Sequence, residues 1–139
     1  MTRRLAASAA VAVLVALAAG SAAADPWPMF HRDQRHAGVS PETFVSTANA
    51  STLGVAWQQN TGAVVQASPV VAKVASLGKS LVFVGNNAGN VSAYDAATGQ
   101  RRWVFATGAN VYSTAAVVGN TVYVGSSDHD LYALNAATG

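Results

Sequence analysis

Between residues 81 and 139 the chain repeats itself at an offset of 40 with no gap. Leu81-Val-Phe-Val-Gly85 returns as Thr121-Val-Tyr-Val-Gly125, and Val91-Ser-Ala-Tyr94 as Leu131-Tyr-Ala-Leu134. Ala96-Ala-Thr-Gly99 returns as Ala136-Ala-Thr-Gly139. A further match lies upstream at an offset of 46: Trp57-Gln-Gln-Asn-Thr-Gly62 against Trp103-Val-Phe-Ala-Thr-Gly108, continuing through Ser68-Pro-Val-Val71 against Thr114-Ala-Ala-Val117. The two offsets differ by six residues, which places an insertion between Ala72 and Leu81, where the second copy has only Gly119-Asn120. Insertions fall in loops, and a two-residue Gly-Asn link reads as a hairpin turn.

Self-similarity at this period is the signature of a repeat architecture whose units cannot bury both faces alone. Short β-branched runs separated by Asn/Gly/Ser/Asp clusters predict strands and turns. Each unit reads as a strand around the tryptophan, a strand at Ser68–Val71, one at 81–85 and one at 91–94. Four short strands per 40 residues predict an all-β fold, a partial β-propeller of about two four-stranded antiparallel blades. An open sandwich is the alternative, but it gives no reason for the self-match. Closed propellers have about four to eight blades. Two blades therefore predict a fragment of a longer protein, with an open sheet edge after Gly139.

Ala93, Asp95, Thr98, Gly99 and Trp103 stand in an AxDxxTGxxxW pattern. It resembles the docking motif of the pyrroloquinoline quinone (PQQ) repeat family, the quinoprotein-like β-propellers. Local physics supports the same residues. Asp95 can accept backbone amides just ahead, Gly99 tolerates positive φ, and Trp103 offers a large flat surface to the next blade. The second copy keeps Ala133, Asn135, Thr138 and Gly139, with Asn replacing Asp, and Trp57 is the equivalent tryptophan upstream. Counting back from Trp57 gives a degraded copy at Thr47, Asn49, Thr52 and Leu53, without the glycine. These residues form the expected structural docking motif.

The N-terminus has another character. Arg3-Arg4, an Ala/Val/Leu run over residues 5–19, and Ala22-Ala23-Ala24 have the layout of a secretory signal peptide over residues 1–24. An uncleaved anchor is the alternative, but the run is shorter than the roughly 20 residues that span a bilayer. The paired arginines leave the Sec or twin-arginine route open. Residues 25–52 then form an N-terminal strap, and 53–139 the incomplete repeats. The product is expected to be exported, periplasmic or extracellular, with no stable membrane anchor after cleavage. Removal of Arg3 and Arg4 leaves six positive and six negative side chains, so the net charge of +2 on the whole chain is no sign of a nucleic-acid partner. There is no cysteine, hence neither disulfides nor a lipid-attachment residue.

Two polar clusters invite a catalytic reading. His31-Arg32-Asp33 matches the tripeptide of a kinase catalytic loop, but position 38 is Gly where that loop needs Asn. The stretch instead resembles the lead-in segment of PQQ-repeat propellers, a strap anchored by Trp27, Met29 and Phe30, with Arg32, Asp33 and Arg35 capping backbone. Asp128-His129-Asp130 has metal-ligand residue types, but its counterparts are the turn residues Ala88-Gly89-Asn90. It reads as a hairpin tip, and no metal site is expected.

No catalytic or cofactor-binding residue can be named. The resemblance implies two functions: an exported binding or scaffold module whose partner is an unidentified protein or small molecule, or a dehydrogenase oxidising alcohols or sugars with PQQ and Ca²⁺. Whether the protein is an enzyme stays open. A third member type, the outer-membrane assembly scaffold, is a lipoprotein, and the missing cysteine argues against it.

Overall fold

The computed structural model describes residues 26–41 and 43–139; the signal-peptide reading lies outside them. Seven strands form two antiparallel sheets. The first holds β1 (Val70–Val74), β2 (Lys79–Gly85), β3 (Asn90–Asp95) and β4 (Arg101–Ala106), in the order β1-β2-β3-β4. The second holds β5 (Ala116–Val118), β6 (Thr121–Gly125) and β7 (Leu131–Asn135), in the order β5-β6-β7.

The sheets differ from the sequence expectation in two ways. The tryptophan strand closes a sheet rather than opening it: β4, with Trp103, pairs with the preceding β3. The residues around Trp57 form no strand, because among the described residues no sheet precedes them for pairing. The second sheet has three strands rather than four, since residues equivalent to β4 would follow Gly139.

The six-residue insertion is shared out. β1 and β2 are each two residues longer than β5 and β6. Their link is the four-residue turn Ala75–Gly78, with Gly78 left-handed, against the two-residue turn at Gly119-Asn120. Both hairpins keep strand pairing up to the turn, at Val74↔Lys79 and Val118↔Thr121.

The core lies between the sheets. On one side are Val70, Ala72, Leu81, Phe83, Val91, Ala93 and Trp103; on the other are Val117, Val122, Val124 and Leu134. Cross-strand rows such as Val70↔Phe83↔Ala93↔Trp103 put one pleat face of the first sheet into this layer. The central strand β3 is buried along almost its whole length, as in a stack covered on both faces.

The strap ties the two sheets together at equivalent positions. Trp27 exchanges two backbone hydrogen bonds with Val71 on β1, and the next residue, Pro28, accepts one from Val117 on β5. Val71 and Val117 match at the offset of 46. Trp27 and Met29 are half-buried, but Phe30 is exposed and stacks on the His31 ring at 4.1 Å. Phe30 is therefore no burial anchor. The chain turns back on itself there, with His31, Arg32 and His36 at positive φ, and this carries the side chain outward. Asp33 accepts the amides of Arg35 and Ala37, and Arg32 donates to the Val39 carbonyl.

Candidate functional site

The turn after β3 is assembled by Asp95. One carboxylate oxygen accepts the amides of Ala97 (3.1 Å) and Thr98 (3.2 Å). The other accepts a hydrogen bond from Lys79 at 3.0 Å. That bond holds the Asp95 carboxyl below the ordinary carboxylate value; burial opposes the shift and the two amides reinforce it. Gly99 closes the turn by donating to the Asp95 carbonyl, with φ +72°. Asn135 repeats the arrangement, accepting Ala137 (2.9 Å) and Thr138 (3.2 Å) ahead of Gly139 at φ +77°.

Each turn receives the tryptophan of the preceding unit. Trp57 donates its indole N–H to the Ala96 carbonyl at 3.0 Å, and Trp103 donates to Ala136 at 2.9 Å. The rings lie on the glycines: a Cβ on Gly99 would sit 2.6 Å from Trp57 Cδ2, and one on Gly139 would sit 2.9 Å from Trp103 Cδ2. The glycine thus answers two demands at once, positive φ and an indole pressed against its α-carbon. Ala93 lies between Phe83 and Trp103 in its cross-strand row and is fully buried, whereas Ala133 is exposed. Thr98 accepts the Gln100 amide and Thr138 is exposed. The degraded copy is built differently. Asn49 bonds backward to Ser46 and Phe44, and Leu53 takes a β conformation where the later copies have left-handed glycine.

The other end of the sheets is fastened by Asn86, which motif reading passed over, and by Asp128, which it placed at a hairpin tip without a partner outside the turn. Asn86 is buried; its carbonyl oxygen accepts Ala88 and Asn90, and its amide donates to Thr61. Asp128 reaches out of the β6–β7 turn to accept the Gly108 amide and the Tyr132 hydroxyl. Burial pushes its pKa upward, but Tyr132, the Asp130 and Gly108 amides and Ser126 together hold it below the ordinary value. The 128–130 cluster is a turn, and among the described residues no group of three His, Cys, Asp or Glu side chains is placed to hold a metal ion. Lys79 also escaped the sequence reading, which put it in the inserted loop. The structure instead pairs it with Val74 at the mouth of the β1–β2 hairpin, and no local pattern in the sequence marks its bond to Asp95.

An anionic quinone would need converging cations. Among the described residues, Lys79 is paired with Asp95, Arg101 and Arg102 lie exposed on β4, Lys73 is exposed on β1, Arg35 is exposed in the strap, and Arg32 donates to Val39. These residues form no cradle for such a cofactor.

Stacked antiparallel sheets joined by a tryptophan of one unit on the turn of the next are successive blades of a β-propeller. Residues 38–139 match the PQQ-repeat family model described as outer membrane protein assembly factor BamB, and the chain belongs to that family. Among solved structures, it resembles the quinohemoprotein alcohol dehydrogenase from Comamonas testosteroni, with 30% identity and a TM-score of 0.71 over 87% of this chain and 19% of the enzyme. It also resembles BamB from Moraxella catarrhalis, with 27% identity and a TM-score of 0.53 over 62% of this chain and 25% of that protein. The chain thus spans a fifth to a quarter of these relatives. A search of curated proteins finds no match. Among the described residues no helix is long and apolar enough to cross a membrane.

Proposed function

We propose that the chain is part of an exported β-propeller that works as a binding or scaffold module, with a protein as its partner. The observation that carries this reading is the use made of the motif side chains. Trp57, Trp103 and Asp128 fasten one unit or turn to the next, and Asp95 and Asn135 build the turns on which the tryptophans sit. Their chemistry is structural, which leaves function to the loops the frame presents. The turns at 86–89 and 126–130 and the links at 61–69 and 107–115 gather at one end, joined by Asn87–Val64 and Ser127–Asn110 backbone hydrogen bonds. That end carries Gln66, Asn87, Asn110 and the half-exposed Tyr112. The family description, an assembly factor, favours a protein partner and brings the scaffold back despite the missing cysteine.

The test is affinity capture from a periplasmic extract with the wild-type chain and with Tyr112→Ala/Asn87→Ala. A partner retained by the first and lost by the second, at unchanged thermal stability, supports the reading. Equal capture by both would count against it.

The likeness to an alcohol dehydrogenase favours a second reading, part of a quinoprotein enzyme. Dye-linked alcohol oxidation that appears only with added PQQ and Ca²⁺ would establish it in place of the first.

A further inference from the structure

The strap covers one edge of each sheet and holds it lightly. β1 and β5 each begin their sheet and pair with a sheet strand on one side only. On the other side Trp27 exchanges backbone hydrogen bonds of 2.6 and 2.8 Å with Val71, and Pro28 accepts the Val117 amide at 2.8 Å. Among the described residues, these three are the backbone hydrogen bonds that join the strap to the two sheets. The Trp27 side chain is only half-buried. From Met29 onward the strap bonds to itself: the Arg32 amide donates to Met29, the Gly38 amide to His31, and Asp33 accepts the amides of Arg35 and Ala37. A segment tied by so few bonds, next to a turn that holds its own shape, opens at low cost.

The seated dipeptide defines what the edge accepts. The residue opposite Val71 must be extended, with its N–H and C=O both turned to β1. A following proline keeps it so, because the residue before proline is driven toward the β region. The next position gives its carbonyl alone, and proline has no N–H to leave unpaired there. Val71 and Val117 match at the offset of 46, so the occupant crosses from one blade to the next rather than running along one strand. Main-chain bonding at a sheet edge is a general mode by which extended peptides are captured.

We propose that Trp27-Pro28 is an exchangeable occupant of these edges, and that an extended segment of a partner protein, a large apolar residue followed by proline, replaces it across Val71 and Val117. The strap is then a built-in competitor. It keeps both edges from pairing with the wrong chain until the partner arrives. The inference rests on a protein partner, as proposed above, but on none of the loop side chains named there.

The probe is a synthetic peptide of residues 25–30, the strap's own sequence supplied in trans. In the wild-type chain the Val71 and Val117 amides should exchange hydrogen about a hundredfold faster than the amides of β2 and β6, because opening of the strap alone frees them. Trp27→Ala loosens the strap and should bind the peptide about tenfold more tightly than the wild type, since apparent affinity follows the fraction of chains with open edges. Bound peptide should slow the exchange of both amides. A peptide N-methylated at its tryptophan, which cannot donate to Val71, should not bind. Equal exchange in edge and central strands, no peptide binding to Trp27→Ala, or binding indifferent to N-methylation would overturn the proposal. The exchange measurement uses the wild type, so it decides the matter even if Trp27→Ala fails to fold. Peptide binding is read directly, which separates a failure here from a failure of the partner-capture test above.

Discussion

The Trp103 indole lies flat on the Gly139 α-carbon while its N–H reaches the Ala136 carbonyl at 2.9 Å, and Trp57 does the same to Gly99 and Ala96 one unit earlier. The contact joins a strand of one blade to a turn of the next, so it carries the stacking that each sheet lacks alone. Gly99→Ala should therefore cost more than its backbone conformation explains. Left-handed φ accounts for about 1–2 kcal/mol. The methyl against Trp57 should add about 1–3 kcal/mol of overpacking. Gly62→Ala is the control, since it has φ +84° and open space around it. Urea unfolding of both variants measures the difference, and a red shift of tryptophan emission should accompany only the first.

This contact shows what a sequence of this kind reveals. The turn chemistry of Asp95, Asn135 and the two glycines was legible because it is local: side chain and amides lie within four residues. The strand runs were legible because the repeat supplied two readings of each. The phase of the blade was not, because the period is the same wherever the unit is cut, and only the β3–β4 pairing reveals that the tryptophan strand comes last. The long-range roles of Lys79, Asn86 and Asp128 stayed hidden for a related reason. Their partners lie 16, 25 and 20 residues away, and no local pattern marks them.

The two tryptophans should not be equivalent. Trp103 is 8% exposed and packs on Phe83 with ring centroids 5.8 Å apart, whereas Trp57 is half-buried. Trp103→Ala should lower the unfolding free energy by about 3–5 kcal/mol, and Trp57→Ala by clearly less. Trp103→Phe keeps most of the apolar contact and removes the bond to Ala136, at about 1 kcal/mol. Denaturant midpoints at a constant m-value would verify the order.

Acid should act on the first docking turn and spare the second. The Asp95 pKa is lowered in the fold, first by the Lys79 hydrogen bond. A lowered carboxylate pKa contributes stability that is in place above the unfolded value of about 4 and is lost as pH falls through the folded value. Asn135 makes the same turn without a charge. Asp95→Asn should therefore flatten the fall in melting temperature below about pH 4. A slope identical to that of the wild type would show that the Lys79 pair has no thermodynamic weight.

At the opposite end, Asp128 joins the β6–β7 turn to the link that follows β4. Its carboxylate accepts the Tyr132 hydroxyl, and this bond is the first cause raising the Tyr132 pKa. Tyr132 also meets Phe105 of the first sheet edge to face at 5.3 Å, so one side chain carries both an interblade ring contact and the hydrogen bond. A raised tyrosine pKa contributes stability present below the ordinary value of about 10 and lost as pH rises through the folded value. Asp128→Ala removes the acceptor. Tyr132 should then ionise at lower pH, seen as an earlier onset of phenolate absorbance, and the chain should lose less stability above about pH 10 than the wild type. The Gly108 amide, freed of its partner, should exchange its hydrogen faster while the amides of β6 keep their protection. If Gly108 exchange is unchanged, Asp128 serves its own turn alone, and Phe105–Tyr132 carries the contact between the blades at this end.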